Sequence, residues 1–558
     1  MKRCLIPLLL LLLLLAGCGE PAQEPMRQES MAEPLAADHS RWQQEPYYIL
    51  QFNMDSVISN APSAAASSSR VVLSQGGTYL LSGILENAQL VLDAPAGETV
   101  RLVLRGVNMH FEHGPVILSK GMGTVVLVLE DGTENTITDG RTYLYTTAAA
   151  GQEAVVSTGG DLLITGEGSL SVQAAHNDAV CSRGTLCMAG GNVTVTAWRN
   201  GFIGEKSLTV SGGRLSATCG DTGLSASGKK TGSGELTISG GVVTLFTGGN
   251  GAAASGVLSV TGGETLVVSG GGSENRSYGE GSENWGAWGG LPQQTPQQDE
   301  EAGSPEREVP VAAGAHGLTS GKTVNLSGGA LTLDCSDAAV HSDGMLLLSG
   351  STVTVSGGDT AFAAQGKLTL SAGNVTVLTA RRGITAGDMT VSGGSLSISA
   401  VEQGLVLSDD AETEESVSAP DVRRLTVTNG LLSLRCGGNA AEIAGSLFQS
   451  GGTMLLGSGR EQTPLRCTAA RVSGGTLLAA GYLQQNAEVY TGLPRIGVEL
   501  WLTGGRPLTV TAAGESEPLL TFTPETSVGH VTLISDKLEA GATYYLISGS
   551  ARIGVTPE

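Results

Sequence analysis

The chain has 558 residues, 82 of them glycine, 4% aromatics and a formal net charge of -22. The charge excludes the basic surface that nucleic-acid binding requires, and electrostatic docking on anionic lipid with it. So much glycine with so few aromatics points to a turn-rich β protein with thin aliphatic layers, and a repeat architecture can spend this length on one rod.

Taken in chain order, residues 1–17 read as a signal peptide, with Lys2 and Arg3 as the basic start and Leu5 to Leu15 as the apolar run. Leu15-Ala16-Gly17-Cys18 resembles the lipobox of bacterial lipoproteins, which makes Cys18 the expected lipidation site. That implies an address on the extracellular face of the bacterial cell membrane, with the membrane met through the lipid anchor only. Residues 18–46, rich in Glu, Gln, Pro and Ala, read as a flexible tether. The main domain is expected over residues 47–485. Its first part carries alternating stretches such as Gln89-Leu-Val-Leu-Asp93 and Val100-Arg-Leu-Val-Leu-Arg105, which predict strands.

From about Thr165 to Gly475 one phrase recurs: a β-type segment followed by a Ser-Gly-Gly-like turn. Leu208-Thr-Val210 precedes Ser211-Gly212-Gly213, Leu236-Thr-Ile238 precedes Ser239-Gly240-Gly241, and Leu258-Ser-Val260 precedes Thr261-Gly262-Gly263. Leu236 to Leu258 and Leu346 to Leu368 are each 22 residues apart. This period predicts an all-β parallel β-helix, a solenoid of three-faced coils of about 22 residues. Equivalent residues of successive coils would then stack about 4.8 Å apart. Two segments interrupt the period, an insert at about 270–314 and an acidic loop at 409–421, both with the composition of solvated loops. Residues 486–558 lose the period and read as a small C-terminal β cap.

Stacking decides which side chains meet. Aligning Val180, Phe202 and Leu224 puts Asn177, Arg199 and Asp221 in one column, with Asp178, Asn200 and Thr222 beside it. Aligning Val340, Phe362 and Ile384 puts Asp337, Asp359 and Arg381 in the equivalent column. Two carboxylates one coil apart repel by about 3 kcal/mol at an effective dielectric of 20. A cation would relieve that repulsion, and oxygen ligands at turns are what Ca²⁺ takes. Asn177, Asp178, Asp221, Asp337 and Asp359, with Asp343 as a weaker member, are the candidate metal ligands, against the alternative of ordinary solvated turn residues. The cysteines that follow Cys18 form no zinc motif and read as packed apolar residues, with a Cys181–Cys187 disulfide left open. Trp198 is the candidate carbohydrate-binding aromatic, whereas Trp501 reads as core.

The chain resembles the bacterial lipoproteins with a β-helical carbohydrate-binding domain, of the DUF4353 type. The resemblance rests on Gly76-Gly-Thr-Tyr-Leu-Leu-Ser-Gly83, on Val126 through Asp139, on the Asn177-Asp-Ala-Val180 and Asp337-Ala-Ala-Val-His341 turns, and on the Ser-Gly-Gly phrases. It implies a right-handed parallel β-helix, Ca²⁺ at Asp-rich turns, and a cellulose- or pectin-like polysaccharide as partner. Where the family's turns favour Asp-Asp-Gly-Ile, this chain has Arg199-Asn-Gly-Phe202 and Arg381-Arg-Gly-Ile384, which argues against cation sites there. The expectation is a non-catalytic, monomeric, calcium-dependent polysaccharide binder. A pectate-lyase-like enzyme and a protein-binding surface adhesin are the alternatives.

Overall fold

Alternation of apolar and polar residues sets the local structure. In Arg214–Cys219, Leu215, Ala217 and Cys219 are buried while Arg214 and Thr218 are exposed, as the two-residue period of a strand requires. A computed structural model describes residues 35, 38–39, 41–54, 56–143, 154–228, 233–275, 314–408, 423–481, 483 and 488–558. The signal segment, Cys18, Trp285, Trp288, most of the 270–314 insert and the 409–421 loop lie outside these described residues.

Each short strand pairs in parallel with its equivalent one repeat away. Asp178–Ser182 pairs with Phe202–Gly204, which pairs with Leu224–Ala226, which pairs with Ala252–Ala254. The ladder then runs directly from Ala252–Ala254 to Leu318–Ser320, and from Met389 to Leu425, so neither long intervening segment breaks the repeat. Leu208, Leu236, Leu258, Val324, Leu346 and Leu368 stack in register, each fully buried. Burying a side chain of this kind contributes about 1.5–3 kcal/mol, so repeated columns supply the core that the sparse aromatics do not.

The expected fold class needs correction. Among the described residues 39 strands join into one sheet, a closed 12-strand parallel β-barrel with extra strands rather than an open, right-handed parallel β-helix solenoid. The physical reason lies in the glycine doublets. Ser211-Gly212-Gly213 and Ser239-Gly240-Gly241 do separate strands, but Val257–Ser269 continues through Thr261-Gly262-Gly263 with two register shifts, and Thr360–Thr379 runs for 20 residues. Gly263 has φ +81°, and a Cβ there would sit 2.7 Å from the Gly241 carbonyl oxygen of the preceding repeat. Glycine thus bends the strand without lifting it off its neighbour.

The C-terminal region is not simply a small cap. Arg495–Leu502 and Val528–Ser535 pair with each other and, through Thr476–Ala480, with the main sheet, while a separate four-stranded antiparallel sheet holds Leu508–Ala512 and Tyr544–Ser548.

The region read as a tether also differs. Leu35 and Trp42 are buried against Leu80, Val103, Val126, Val128, Leu163 and Cys187 on the outside of the wall. Arg101 donates to His39 Nδ1 at 3.1 Å and pairs with Glu45, and the Arg105 guanidinium lies 5.8 Å from the Trp42 ring centroid. The apolar outward residues of the first repeats need cover. Where that column passes from Cys187 to Thr209 and Thr237 it becomes polar and needs none.

Candidate functional site

Asn and Asp recur at one corner of the repeat because their short side chains reach backbone groups of the next repeat. Asp178 Oδ1 accepts from the backbone N–H of Asn200 at 3.1 Å and from its side-chain amide at 2.8 Å. Asn200 Oδ1 accepts from Thr222 N–H at 3.2 Å, Asn250 Oδ1 from His316 N–H at 2.9 Å, and Asn439 Oδ1 from Thr463 N–H at 2.8 Å. Asn177 is buried and accepts from Arg199 at 3.3 Å, and the same guanidinium stands 3.8 Å from Asp221. The predicted column therefore exists, with its oxygens turned to holding one repeat to the next.

The second column carries a charge network. Arg381 donates to Asp359 Oδ1 and, at 3.0 Å, to Glu402; Arg382 reaches Asp359 Oδ2 at 3.4 Å, and the Thr360 hydroxyl donates to that same oxygen at 2.8 Å. Burial pushes the Asp359 carboxyl up, but Thr360 and the two guanidinium groups outweigh it and hold it below the ordinary carboxylate range. Burial likewise works against the Arg381 charge, yet Asp359 and Glu402 raise its pKa above the usual value. Asp337 lies 3.6 Å from His316 Nδ1, and Asp343 lies 3.8 Å from His341 Nδ1. The two imidazoles stack at 4.8 Å with planes 8° apart. Burial depresses the His316 pKa, with Asp337 opposing.

Asp178 and Asp359 do not fit a calcium site. Ca²⁺ takes six to eight oxygens, whereas both Asp359 oxygens face cations and Asp178 accepts from amide groups. Among the described residues no group of three or more His, Cys, Asp or Glu is arranged to hold a metal. Arg381 relieves the carboxylate repulsion that sequence reasoning assigned to a cation. His316 was missed because 66 residues separate it from Asn250, its neighbour in the column.

Segments in the part of the chain that carried the resemblance are structural as well. Asn135 Oδ1 accepts from Val107 N–H at 3.0 Å, and Asp139 accepts from Ala175 N–H at 2.7 Å and from the Tyr143 hydroxyl at 2.8 Å. Cys181, Cys187, Cys219, Cys335, Cys436 and Cys467 are buried free thiols, which removes the Cys181–Cys187 disulfide.

Some outward side chains form uncharged columns, beside others that carry Arg214 or Glu264. Ser171, Thr194, Ser216 and Thr244 are in register, as are Gln173, Thr196, Thr218 and Phe246 in the parallel column. Thr332, Thr354, Thr376 and Ser397 repeat the first pattern farther along. Trp198 sits half-buried at the corner after Ala197, two residues beyond Thr196 of the second column. Trp501, expected in the core, is 56% exposed with the Arg460 guanidinium 5.5 Å from its ring. Sequence reasoning also missed Phe448 and Tyr490, both exposed; extending the repeat alignment past Thr426 would have placed them in one column. A shallow depression lined by Ser74, Gln75, Gly76, Pro95, Glu98 and Thr99 offers one carboxylate, and Glu98 accepts from Gly76 N–H at 2.5 Å.

Comparison with known proteins gives three findings. A family profile described as "Carbohydrate-binding domain-containing protein" matches residues 67–361, more than half of the chain. A carbohydrate-binding domain-containing protein of Acetivibrio thermocellus is 30% identical over 139 residues, 25% of this chain, and the match spans about half (49%) of that relative's length. A solved structure, the polysaccharide lyase-like protein from C. thermocellum in a gadolinium derivative, is 27% identical and covers 40% of this chain and 91% of its own. Its TM-score is 0.39.

Proposed function

This chain belongs to the carbohydrate-binding domain-containing protein family, and from that premise we propose that it binds a polysaccharide along the outward columns of its wall without turning it over. The observation that carries the proposal is the uncharged, hydroxyl-bearing columns such as Ser171–Thr194–Ser216–Thr244 within the matched segment. Their spacing of about 4.8 Å offers a polymer the same weak contacts many times over, and such contacts reinforce one another once the first is made. A net charge of -22 repels polyuronates, so a neutral polymer is favoured.

Catalysis is disfavoured by the same geometry. A lyase needs a basic group free to take a proton, and Arg381 is held by Asp359 and Glu402 with its pKa raised. A glycosidase needs two carboxylates facing one cleft, and Asp359 is committed to Arg381, Arg382 and Thr360. Calcium has no part in the proposal. Cys18 anchors the protein to the membrane in this reading, so Cys18→Ala should release it from the membrane fraction.

Pull-down on insoluble cellulose and affinity electrophoresis in soluble β-glucan and polygalacturonate, each with and without chelator, test the binding. Retention on the neutral polymers, unchanged by chelator and without product release, is expected. Retention on none of them would refute the function, and unsaturated products from polygalacturonate would turn it towards the lyase.

A further inference from the structure

We propose that Phe448 and Tyr490 form an aromatic platform for an extended β-1,4-linked glucan chain, a site that rests on the carbohydrate-binding reading and lies outside the matched segment 67–361. Thr426, Phe448, Arg471 and Tyr490 are paired in succession, each on the neighbouring strand. Phe448 is 37% and Tyr490 52% exposed, although a side chain of either type usually finds cover. The two rings are separated by two inter-strand spacings, roughly 10 Å, which is also about the length of the disaccharide repeat in an extended β-1,4-linked glucan.

In such a chain alternate sugars are flipped, so every second ring presents the same C–H-rich face to one side. Two aromatic rings at that interval therefore meet equivalent faces, while the sugar between them lies over Arg471. The guanidinium has only donors, and hydroxyl oxygens of that sugar are suitable acceptors. The Arg424 guanidinium lies over one face of the Phe448 ring, 5.1 Å from its centroid, which leaves the opposite face for a sugar, and the Tyr490 hydroxyl donates to Glu488. An α-linked glucan coils and cannot keep this interval. Single exposed apolar residues are common and mean little; the shared register of these two distinguishes them.

The test uses the full chain, cellohexaose in titration calorimetry, and swollen cellulose in pull-down, with amylose as the α-linked comparison. The double variant F448A/Y490A should bind cellohexaose about tenfold more weakly or worse than wild type, and F448Y/Y490F should bind like wild type. The melting curves of both should match wild type, since both side chains are exposed. Wild-type binding undiminished in F448A/Y490A would overturn the platform and leave the broader function standing. Equal affinity for amylose, or loss of binding in F448Y/Y490F, would overturn it too. A wild-type chain that binds no polysaccharide at all removes platform and function together.

Discussion

Replacing Asp359 by Asn tests whether the arginine network, rather than a bound cation, neutralises the second Asp column. The substitution keeps the shape and the Thr360 contact but removes the charge facing Arg381 and Arg382. The side chains of Asp359, Arg381 and Arg382 are 30%, 23% and 34% exposed, so the network lies between a surface pair and a buried one. Surface pairs are worth about 0–1 kcal/mol, and breaking a buried pair costs about 3–5 kcal/mol, which places the loss at about 1–3 kcal/mol. The pH dependence carries a sign. Because the folded-state pKa of Asp359 is depressed, its stabilisation is fully present above the unfolded value of about 3.9 and is lost as pH falls through the folded value. Urea unfolding of wild type and Asp359→Asn should therefore differ at pH 7, keep that difference down to about pH 5, and converge at lower pH. Hydrogen exchange at Gly383 and Ile384 should report the same loss locally, because neighbouring repeats are coupled step by step. Equal stability at pH 7, or a gap that widens on acidification, would refute the assignment.

Millimolar Ca²⁺ added to chelator-treated protein should leave the melting curve in place, since the Asp178 and Asp359 oxygens are already engaged; a shift that grows with the logarithm of calcium concentration would show a site. Trp42→Ala should cost about 3–5 kcal/mol of local stability, seen as faster proteolysis before Tyr47 with the repeats still protected. Equal proteolysis of variant and wild type would count against the packed segment. Burial pushes the thiols of Cys181, Cys219 and Cys335 up to about 12, so at pH 8 they should resist alkylation until the protein is unfolded; fast labelling of the folded chain would contradict their burial.

The period of about 22 residues and the stacking it implies were legible in the sequence. Val180, Phe202 and Leu224 pair as the alignment required, and the long segments after Ser269 and Leu407 leave the ladder unbroken. Such patterns can be read because inward positions demand apolar side chains at every repeat. The same alignment brought Asp359 next to Arg381 without telling which group neutralises the carboxylate: whether adjacent charges pair with each other or with a ligand depends on side-chain direction, which spacing does not encode.

Three features were decided only in three dimensions. Ser-Gly-Gly separates strands after Val210 and Ile238, yet glycine at positive φ lets Val257–Ser269 bend and continue through a phrase of the same kind. Trp42 stands in a segment with the composition of a tether, and it is buried because Leu80, Val103 and Val126 point outward and lack any other cover. Phe448 and Tyr490 are unremarkable 42 positions apart in the chain, and become a pair only when successive strands set them on one face. Local pattern determines which side chains face inward; long-range pairing determines which outward ones become neighbours, and it is the outward ones that meet a ligand.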